Sequence, residues 1–280
     1  MKKNIIYIIG IVSTLFTSCE NISESERLIE IEGVTAQRMV LLEDYTGQRC
    51  INCPEAHDVA TELHNQYPEN LIVVSMHAGG FGIPAPTGLM QPEGNEYADR
   101  AGVEDYPSGV VNRRGGAKLP EFWATSVREE IQKPSVVQFD QFRAACSEVI
   151  TDNGREYKVD VHVIATALEQ IDDAKLQLWV LEDSIVKVQL FPGGKADLKY
   201  VHNHVYRASV NGVGGESVTL PLGESVTIEK SCTKVEEWVA KNLSVVAFVY
   251  NNSGVLQAAQ CKLDLEPTDN EVDEENPIND

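Results

Sequence analysis

A Cys-x-x-Cys motif between two apolar runs constrains the fold of this 280-residue chain more than any other feature. Residues 39–43 (MVLLE) and 71–76 (LIVVSM) have the length and composition of buried strands. Cys50 and Cys53 lie between them, and Pro54, which suits the first turn of a helix, precedes apolar residues at helical spacing. The pattern predicts a strand, a helix and a parallel second strand joined by a right-handed crossover, with both cysteines where the helix begins.

This placement predicts redox chemistry for the two cysteines. The free N–H groups and partial positive charge of a helix N-terminus stabilise a thiolate, and the adjacent Arg49 adds to this effect. We expect Cys50 to be the exposed nucleophile and Cys53 to resolve the mixed disulfide that forms at Cys50. The two residues between the cysteines affect the reduction potential, so the sequence leaves the redox direction open.

Two residues outside the motif extend the pattern. Asp44 lies six residues before Cys50, and Pro107 directly precedes a short apolar run. The combination resembles the thioredoxin superfamily. That resemblance implies an α/β thioredoxin-like domain over residues 38–133, in which Asp44 assists proton transfer and Pro107, as a cis residue, presents the substrate backbone. The cis expectation fits the chemistry, since an X-Pro bond is the only kind that adopts cis at modest cost.

Two other interpretations of the cysteines stay open. A stable disulfide without turnover is credible, because exported proteins keep such bonds in an oxidising compartment. Alternatively, Cys50, Cys53 and His57 follow a C-x2-C-x3-H pattern and His77 ends the next predicted strand, which fits a copper or zinc site. No other cofactor is predicted. The Gly- and Pro-rich loop at residues 78–94 either forms a lip over the thiols or is a tolerated insertion.

The region at residues 135–265 has a different pattern, with a boundary at Lys133-Pro134-Ser135. Apolar residues alternate with period two, and turn signals separate the segments. The pattern predicts an all-β, immunoglobulin-like sandwich without a catalytic grouping. The seven predicted strands are residues 136–144, 157–165, 174–181, 204–210, 224–228, 245–250 and 255–263.

The second region also contains three cysteines and an H-x-H pair. One disulfide and one free thiol is the simplest expectation for Cys146, Cys232 and Cys261, with a weak preference for pairing the predicted first and last strands. His202 and His204 would share one face of a strand. We interpret them as hydrogen-bonding residues at a strand end or domain interface, because two histidines alone do not make a metal site.

The N-terminal residues of the chain indicate export. Residues 1–18 begin with Met-Lys-Lys and continue as an apolar run too short to span a bilayer, which is typical of a signal peptide. The run ends in a sequence resembling a lipobox, so Cys19 is the predicted lipid anchor. Residues 19–37 are interpreted as a tether, and the acidic residues 266–280 as a disordered tail. The net charge of −20 argues against a nucleic-acid partner.

Segments of both regions resemble the outer-membrane lipoprotein family named for a twenty-eight-kilodalton outer-membrane protein. They are Tyr45-Thr46-Gly47 before CxxCP, residues 106–109, Asn112-Arg113, residues 179–183, Val188-Gln189 and residues 201–207. The resemblance implies a lipoprotein of the outer membrane with a thioredoxin-like domain and a β-sandwich, facing the periplasm or the cell surface. It implies little about activity.

Three functions compete on this basis. The first is thiol-disulfide exchange with the thiols or disulfides of envelope proteins through Cys50 and Cys53. The second is a non-enzymatic surface or periplasmic binding lipoprotein with a structural disulfide. The third is copper or zinc handling.

Overall fold

The computed structural model describes residues 37–151 and 154–265. The predicted signal peptide, the anchor Cys19, nearly all of the tether and the acidic tail therefore lie outside the described residues. Within the described ranges, no helix is both long enough and apolar enough to cross a membrane.

The first half of the described chain alternates strands and helices. Strand β1 (Val40–Thr46), helix α1 (Cys53–Gln66) and strand β2 (Leu71–His77) form the expected parallel unit, in register from Val40 opposite Leu71 to Thr46 opposite His77. Helix α2 (Pro92–Ala101), strands β3 (Ser108–Val111) and β4 (Arg114–Lys118) and helix α3 (Trp123–Ile131) follow. Strand β3 runs antiparallel to β1 and pairs with β4 in a hairpin.

The second half is made of strands, several of them longer than predicted. They are β5 (Val137–Thr151), β6 (Gly154–Ala167), β7 (Lys175–Glu182), β8 (Ile185–Phe191), β9 (Lys195–His202), β10 (Val205–Ser209), β11 (Glu216–Ser217), β12 (Ser225–Lys234), β13 (Leu243–Asn251) and β14 (Gly254–Leu265). The antiparallel hairpin β8–β9 pairs only with itself in the described structure, and the sequence pattern did not predict it.

One mixed sheet runs through both halves of the described chain. Its strand order is β12-β6-β5-β14-β13-β7-β10-β2-β1-β3-β4, with β11 beside β7. The two halves join where β10 pairs with β2, Val205 opposite Ser75, and Ser75 N–H donates to the His204 carbonyl at 2.8 Å. The described residues belong to one compact unit.

The predicted fold class, an α/β thioredoxin-like domain followed by a separate immunoglobulin-like sandwich, is therefore wrong. The structure is mostly β, with one large mixed sheet. The physical reason lies at β2: without β10 its free backbone groups would form an open sheet edge, and pairing satisfies them. The periodicity of apolar residues in the sequence predicts where a strand or a helix forms, but it does not predict which strands pair at their edges.

Apolar packing explains why β1 and β2 are buried along their whole length. On one side, Val40, Leu42 and Val73 pack against α1 and α3. On the other side, Leu41 and Val74 share a cluster with Trp179, Tyr206 and Phe248 from the second half. A further cluster packs inward residues of β6 against β7 and β13. Strands covered on both faces read as continuous apolar runs, as the first residues of β1 and of β2 do.

The cysteines of the second half are all free thiols, so the predicted bridge among Cys146, Cys232 and Cys261 is wrong. Strands β5 and β14 are indeed neighbours, but the parallel register sets Cys146 opposite Leu265. Burial raises the pKa of Cys232 to about 11 and that of Cys261 to about 12, so these thiols are poor nucleophiles at neutral pH.

Candidate functional site

The face of the sheet beneath α1 changes character toward the carboxyl ends of β1 and β2. Side chains two residues apart share a face of a strand, so each strand presents alternate residues to α1. The face begins with apolar residues and ends with polar ones: Val40 and Leu42, then Asp44 and Thr46 on β1, and Leu71 and Val73, then Ser75 and His77 on β2. A polar patch is thus buried under the first turns of the helix.

Cys50 and Cys53 form a disulfide above this patch, with their Cα atoms 5.4 Å apart. Helix α1 begins at Cys53, so the bond lies at the helix N-terminus, as predicted. Cys50 is 2% exposed and Cys53 is 0% exposed, whereas Ile51 and Asn52 between them are exposed. The expectation of an exposed Cys50 is therefore not met in this oxidised state.

Asp44 is a buried carboxyl without a hydrogen bond. It is 0% exposed, and neither of its oxygens has a hydrogen-bond partner among the described residues. The nearest basic group is His57, whose Nε2 lies 3.7 Å from Asp44 Oδ2. Burial raises the pKa of Asp44 to about 8, because the charged form loses its hydration without gaining a partner.

His57 connects this patch to the hairpin β8–β9. It lies one turn after Cys53 on α1, where Nε2 is 2.8 Å from Thr46 Oγ1 and Nδ1 is 2.9 Å from the Tyr200 hydroxyl. Burial, followed by the nearby His202, lowers the pKa of His57 to about 4. The imidazole is therefore neutral at physiological pH and has one N–H and one free nitrogen.

Two further histidines line the same space, a cavity of about 320 Å³. The rings of His77 and His202 lie 5.3 Å apart, and each residue is 2% exposed. Burial, and then His202, hold the pKa of His77 well below its ordinary value. Burial also lowers the pKa of His202 to about 4. Both rings are therefore neutral at pH 7.

The hairpin β8–β9 covers the cysteine motif. Gln189 Nε2 donates to the Cys50 carbonyl at 2.9 Å and lies 3.4 Å from the Gly47 carbonyl. Leu190 N–H donates to the Gln48 carbonyl at 2.9 Å, and Gln48 Nε2 donates to the Val188 carbonyl at 3.0 Å. These bonds clamp the segment before the disulfide and account for the burial of Cys50.

The loop at residues 78–94 packs against the same segment from another side. Arg49 N–H donates to the Phe81 carbonyl at 2.9 Å, and Leu89 N–H donates to Gln48 Oε1 at 2.9 Å. Gly47 is required here, since a Cβ at this position would lie 2.5 Å from the Phe81 carbonyl carbon. The loop thus supports the residues just before Cys50.

Pro107 follows a cis peptide bond, as the sequence predicted, and directly precedes β3. Strand β3 pairs with β1 such that Gly109 is opposite Asp44. The Tyr106 ring packs against Phe81 of the loop, with 5.5 Å between centroids. These contacts attach the proline segment both to the strand that carries Asp44 and to the loop beside the cysteines.

The residues of the alternative metal site are only partly brought together. His57 and His77 line one cavity, but Cys50 and Cys53 are bonded to each other. In the described part of the chain, no group of three or more His, Cys, Asp or Glu residues is placed to hold a metal ion. The geometry therefore gives the copper or zinc hypothesis no support.

Gln189 and Tyr200 were not predicted as site residues, because β8 and β9 were not predicted. A signal was present for β8, since residues 185–191 are rich in β-branched and other apolar residues and end at the turn signal Pro192-Gly193-Gly194. The expectation that His202 and His204 share a strand face is also wrong, because β9 ends at His202 and β10 begins at Val205.

One solved structure has a similar fold over most of the chain. HBP35 of Porphyromonas gingivalis matches with a TM-score of 0.67 and 19% identity, over 86% of this chain and 81% of that chain. A domain of the outer membrane lipoprotein Omp28 from the same organism has 22% identity and a TM-score of 0.32, over 47% of this chain and 91% of that one. A protein from Agrobacterium tumefaciens has 14% identity and a TM-score of 0.44, over 80% of this chain and 95% of that one. At these identities, only the first match carries an argument, and that argument concerns the fold.

No curated protein matches the chain. The family model for the outer membrane protein Omp28, in contrast, matches residues 94–266, which is more than half of the chain. The match begins after the cysteine motif and continues through β14, so it includes strands from both halves of the sheet. The chain therefore belongs to the Omp28 family of outer membrane proteins.

Proposed function

We propose that the protein exchanges disulfides with envelope proteins through Cys50 and Cys53. The observation that carries the proposal is a disulfide at a helix N-terminus above Asp44, a buried carboxyl that makes no hydrogen bond to any described residue. A carboxyl with a pKa of about 8 changes its protonation near neutral pH, where thiols are also titrated. A merely structural bridge has no use for such a group.

The exchange runs in two balanced steps. The Cys50 thiolate attacks one sulfur of a partner disulfide, forms a mixed disulfide, and releases the other partner sulfur as a thiolate. Cys53 then loses its proton to Asp44, and its thiolate attacks Cys50 Sγ. The Cys50–Cys53 bond forms and the second partner sulfur leaves as a thiolate. Two partner thiols are gained for one disulfide lost, and the reverse sequence oxidises a partner.

Anchoring at the outer membrane through lipid on Cys19 is part of the proposal. It is supported by the lipobox-like sequence before Cys19 and by membership of the Omp28 family. Anchoring would restrict the partners to envelope proteins that approach the membrane surface.

The test uses the purified full chain and a peptide with a single intermolecular disulfide. We expect the wild type to exchange disulfides with the peptide, and we expect a Cys53→Ser variant to accumulate a mixed disulfide at Cys50 in cells. A Cys232→Ser variant is the matched control, because that thiol is free and distant in sequence from the site. Absence of both exchange and trapped partners would refute the proposal.

A specific observation favours a second candidate, a binding lipoprotein with an inert disulfide. Both cysteines are buried, and Gln189 holds the Cys50 carbonyl. This candidate predicts a low reduction potential and normal partner binding by a Cys50→Ser/Cys53→Ser double variant. Equilibration of the purified chain with glutathione measures the potential and separates the two candidates.

A further inference from the structure

The proposed exchange leaves one proton in a closed space. Asp44 is 0% exposed, so a proton that it receives from Cys53 has no direct contact with water. Opening of the bond can return that proton to Cys53, but between exchanges the carboxyl can gain or lose a proton only through a connection to solvent. A route from Asp44 to the surface would therefore let the carboxyl change its protonation between the closing and the opening of the bond.

A line of hydrogen-bonding groups leads away from Asp44. Thr46 lies two residues further along β1 on the same face, and its hydroxyl is 2.8 Å from His57 Nε2. The direct distance from Asp44 Oδ2 to the same nitrogen is 3.7 Å, so an approach of about 1 Å closer would form a hydrogen bond. On the far side of the ring, Nδ1 is 2.9 Å from the hydroxyl of the half-buried Tyr200.

The protonation states of these groups suit a relay. Burial keeps the His57 ring neutral near pH 7, so one nitrogen accepts a proton while the other donates one. Burial, together with the carboxylates of Asp58 and Asp44, raises the pKa of Tyr200 to about 12. Its hydroxyl therefore stays protonated and can pass one proton on while it receives another.

We propose that His57 and Tyr200 form a proton relay between Asp44 and solvent during thiol-disulfide exchange. In the outward direction, Asp44 and His57 Nε2 approach from 3.7 Å to hydrogen-bond distance and the Asp44 proton moves to Nε2. The proton on Nδ1 moves to the Tyr200 oxygen, and the Tyr200 hydroxyl proton leaves to water. The ring returns to its first tautomer when a proton passes inward, as the Cys50–Cys53 bond is opened again and Cys53 takes a proton from Asp44. After the transfer, neither His57 nor Tyr200 carries a net charge. The relay rests on the proposed function, thiol-disulfide exchange through Cys50 and Cys53.

Other titratable groups face His57 and set the conditions of the relay. Besides Asp44 from β1 and Tyr200 from β9, they are Asp58 beside it on α1, His77 from β2, His202 at the end of β9 and His204 just before β10. His202 is the nearest of these rings apart from Tyr200, with 6.5 Å between centroids. His57 lies between Asp44 and Tyr200, with Nε2 3.7 Å from Asp44 Oδ2 and Nδ1 2.9 Å from the Tyr200 hydroxyl.

The test measures disulfide formation in the reduced full chain after addition of oxidised glutathione, by rapid alkylation of the remaining thiols from pH 6 to pH 10. We expect Tyr200→Phe and His57→Gln to slow closure of the Cys50–Cys53 bond by roughly tenfold at pH 7. The deficit should shrink toward pH 10, because hydroxide then removes the thiol proton without a relay. Tyr157→Phe, in strand β6, is the matched control and should behave as wild type.

The outcomes separate the relay from the function on which it rests. Equal rates for wild type and both variants at every pH would overturn the relay alone. A deficit that stays constant from pH 6 to pH 10 would also overturn it, since that result indicates a structural role. A wild-type chain that forms no bond between Cys50 and Cys53 with any disulfide would overturn both proposals. Partial recovery of a His57→Ala variant with added imidazole would support the relay.

Discussion

Strand β1 presents one buried carboxylate to each face of the sheet, and the two have opposite surroundings. Glu43 is 2% exposed, yet Arg113 Nε donates to it at 2.8 Å and the Tyr45 hydroxyl donates to it at 2.8 Å. The Arg113 guanidinium also lies over aromatic rings, 4.7 Å from the centroid of Phe248 and 4.6 Å from that of Tyr250. Asp44 on the other face has no hydrogen bond among the described residues.

The difference between Glu43 and Asp44 separates a structural role of a buried carboxyl group from a chemical one. A buried carboxylate that is paired and hydrogen-bonded contributes to a defined packing arrangement, and its loss is a problem of stability. A buried carboxyl without a partner opposes folding near neutral pH, because ionising it requires desolvation. Retention of such a group beside a disulfide is therefore better explained by chemistry than by architecture.

The largest effect on stability is expected when the ion pair between Glu43 and Arg113 is broken. Arg113→Met leaves Glu43 buried without its cation and removes the contacts with the aromatic rings. We expect a loss of roughly 3–5 kcal/mol in the free energy of unfolding, measured by urea denaturation. A Glu43→Gln/Arg113→Met double variant should recover part of that loss. Equal stability of the single variant and wild type would show that the pair is not structural.

A substitution at Asp44, in contrast, is expected to raise the free energy of unfolding. The pKa of Asp44 is about 8 in the folded chain against an ordinary value of 3.8, so the unfolded chain ionises first as pH rises. Folding stability therefore falls between pH 4 and pH 8, by about 1.4 kcal/mol per pH unit from this group. Asp44→Asn should remove that slope and stabilise the protein at pH 7 by up to about 4 kcal/mol, while slowing disulfide exchange.

Urea denaturation of wild type and Asp44→Asn at pH 4 and pH 7 checks this sign. Titration of other groups is common to both proteins and cancels in the difference. The two stabilities should approach each other at pH 4 and diverge at pH 7. Parallel stabilities at both values would contradict the assignment of a raised pKa to Asp44.

A smaller effect is expected from a substitution in the hairpin β8–β9, which covers the disulfide. Gln189→Ala removes the hydrogen bond to the Cys50 carbonyl, and a bond of this kind contributes about 1 kcal/mol. We expect reduction of the Cys50–Cys53 bond by dithiothreitol to accelerate about fivefold, because the hairpin β8–β9 opens more often. Gln260→Ala, in strand β14, is the matched control. An unchanged rate would mean that Gln189 does not limit access to the disulfide.

Local patterns in the sequence predicted β1, α1 and β2 and the place of the disulfide, because periodicity and turn chemistry are informative for residues close together in the chain. The cis bond before Pro107 was expected from the resemblance to the thioredoxin superfamily. These local patterns did not predict that one sheet runs through both halves of the described chain. The pairing of Val205 with Ser75 joins segments about 130 residues apart, and no periodic signal specifies it.

The candidate site divides in the same way. The cysteines were predicted from their spacing and Asp44 from the resemblance to the thioredoxin superfamily, whereas Gln189 and Tyr200 come from a hairpin far along the chain that folds over the motif. The difference between Glu43 and Asp44 was equally beyond the sequence. It depends on Arg113, which reaches Glu43 from the turn between β3 and β4.

The smallest effect is expected for a paired carboxylate that is not buried. Glu96 and Arg100 lie one turn apart on α2, and Arg100 Nη2 is 2.6 Å from Glu96 Oε1, but both side chains are 52% exposed. Exposed pairs at this helical spacing contribute about 0.3–0.5 kcal/mol, because water screens the charges and both chains lose rotamer freedom. Arg100→Ala should therefore change the urea midpoint only slightly, and less in 1 M salt than in low salt. A loss as large as that of Arg113→Met would show that pairing, rather than burial, decides how much a carboxylate contributes in this fold.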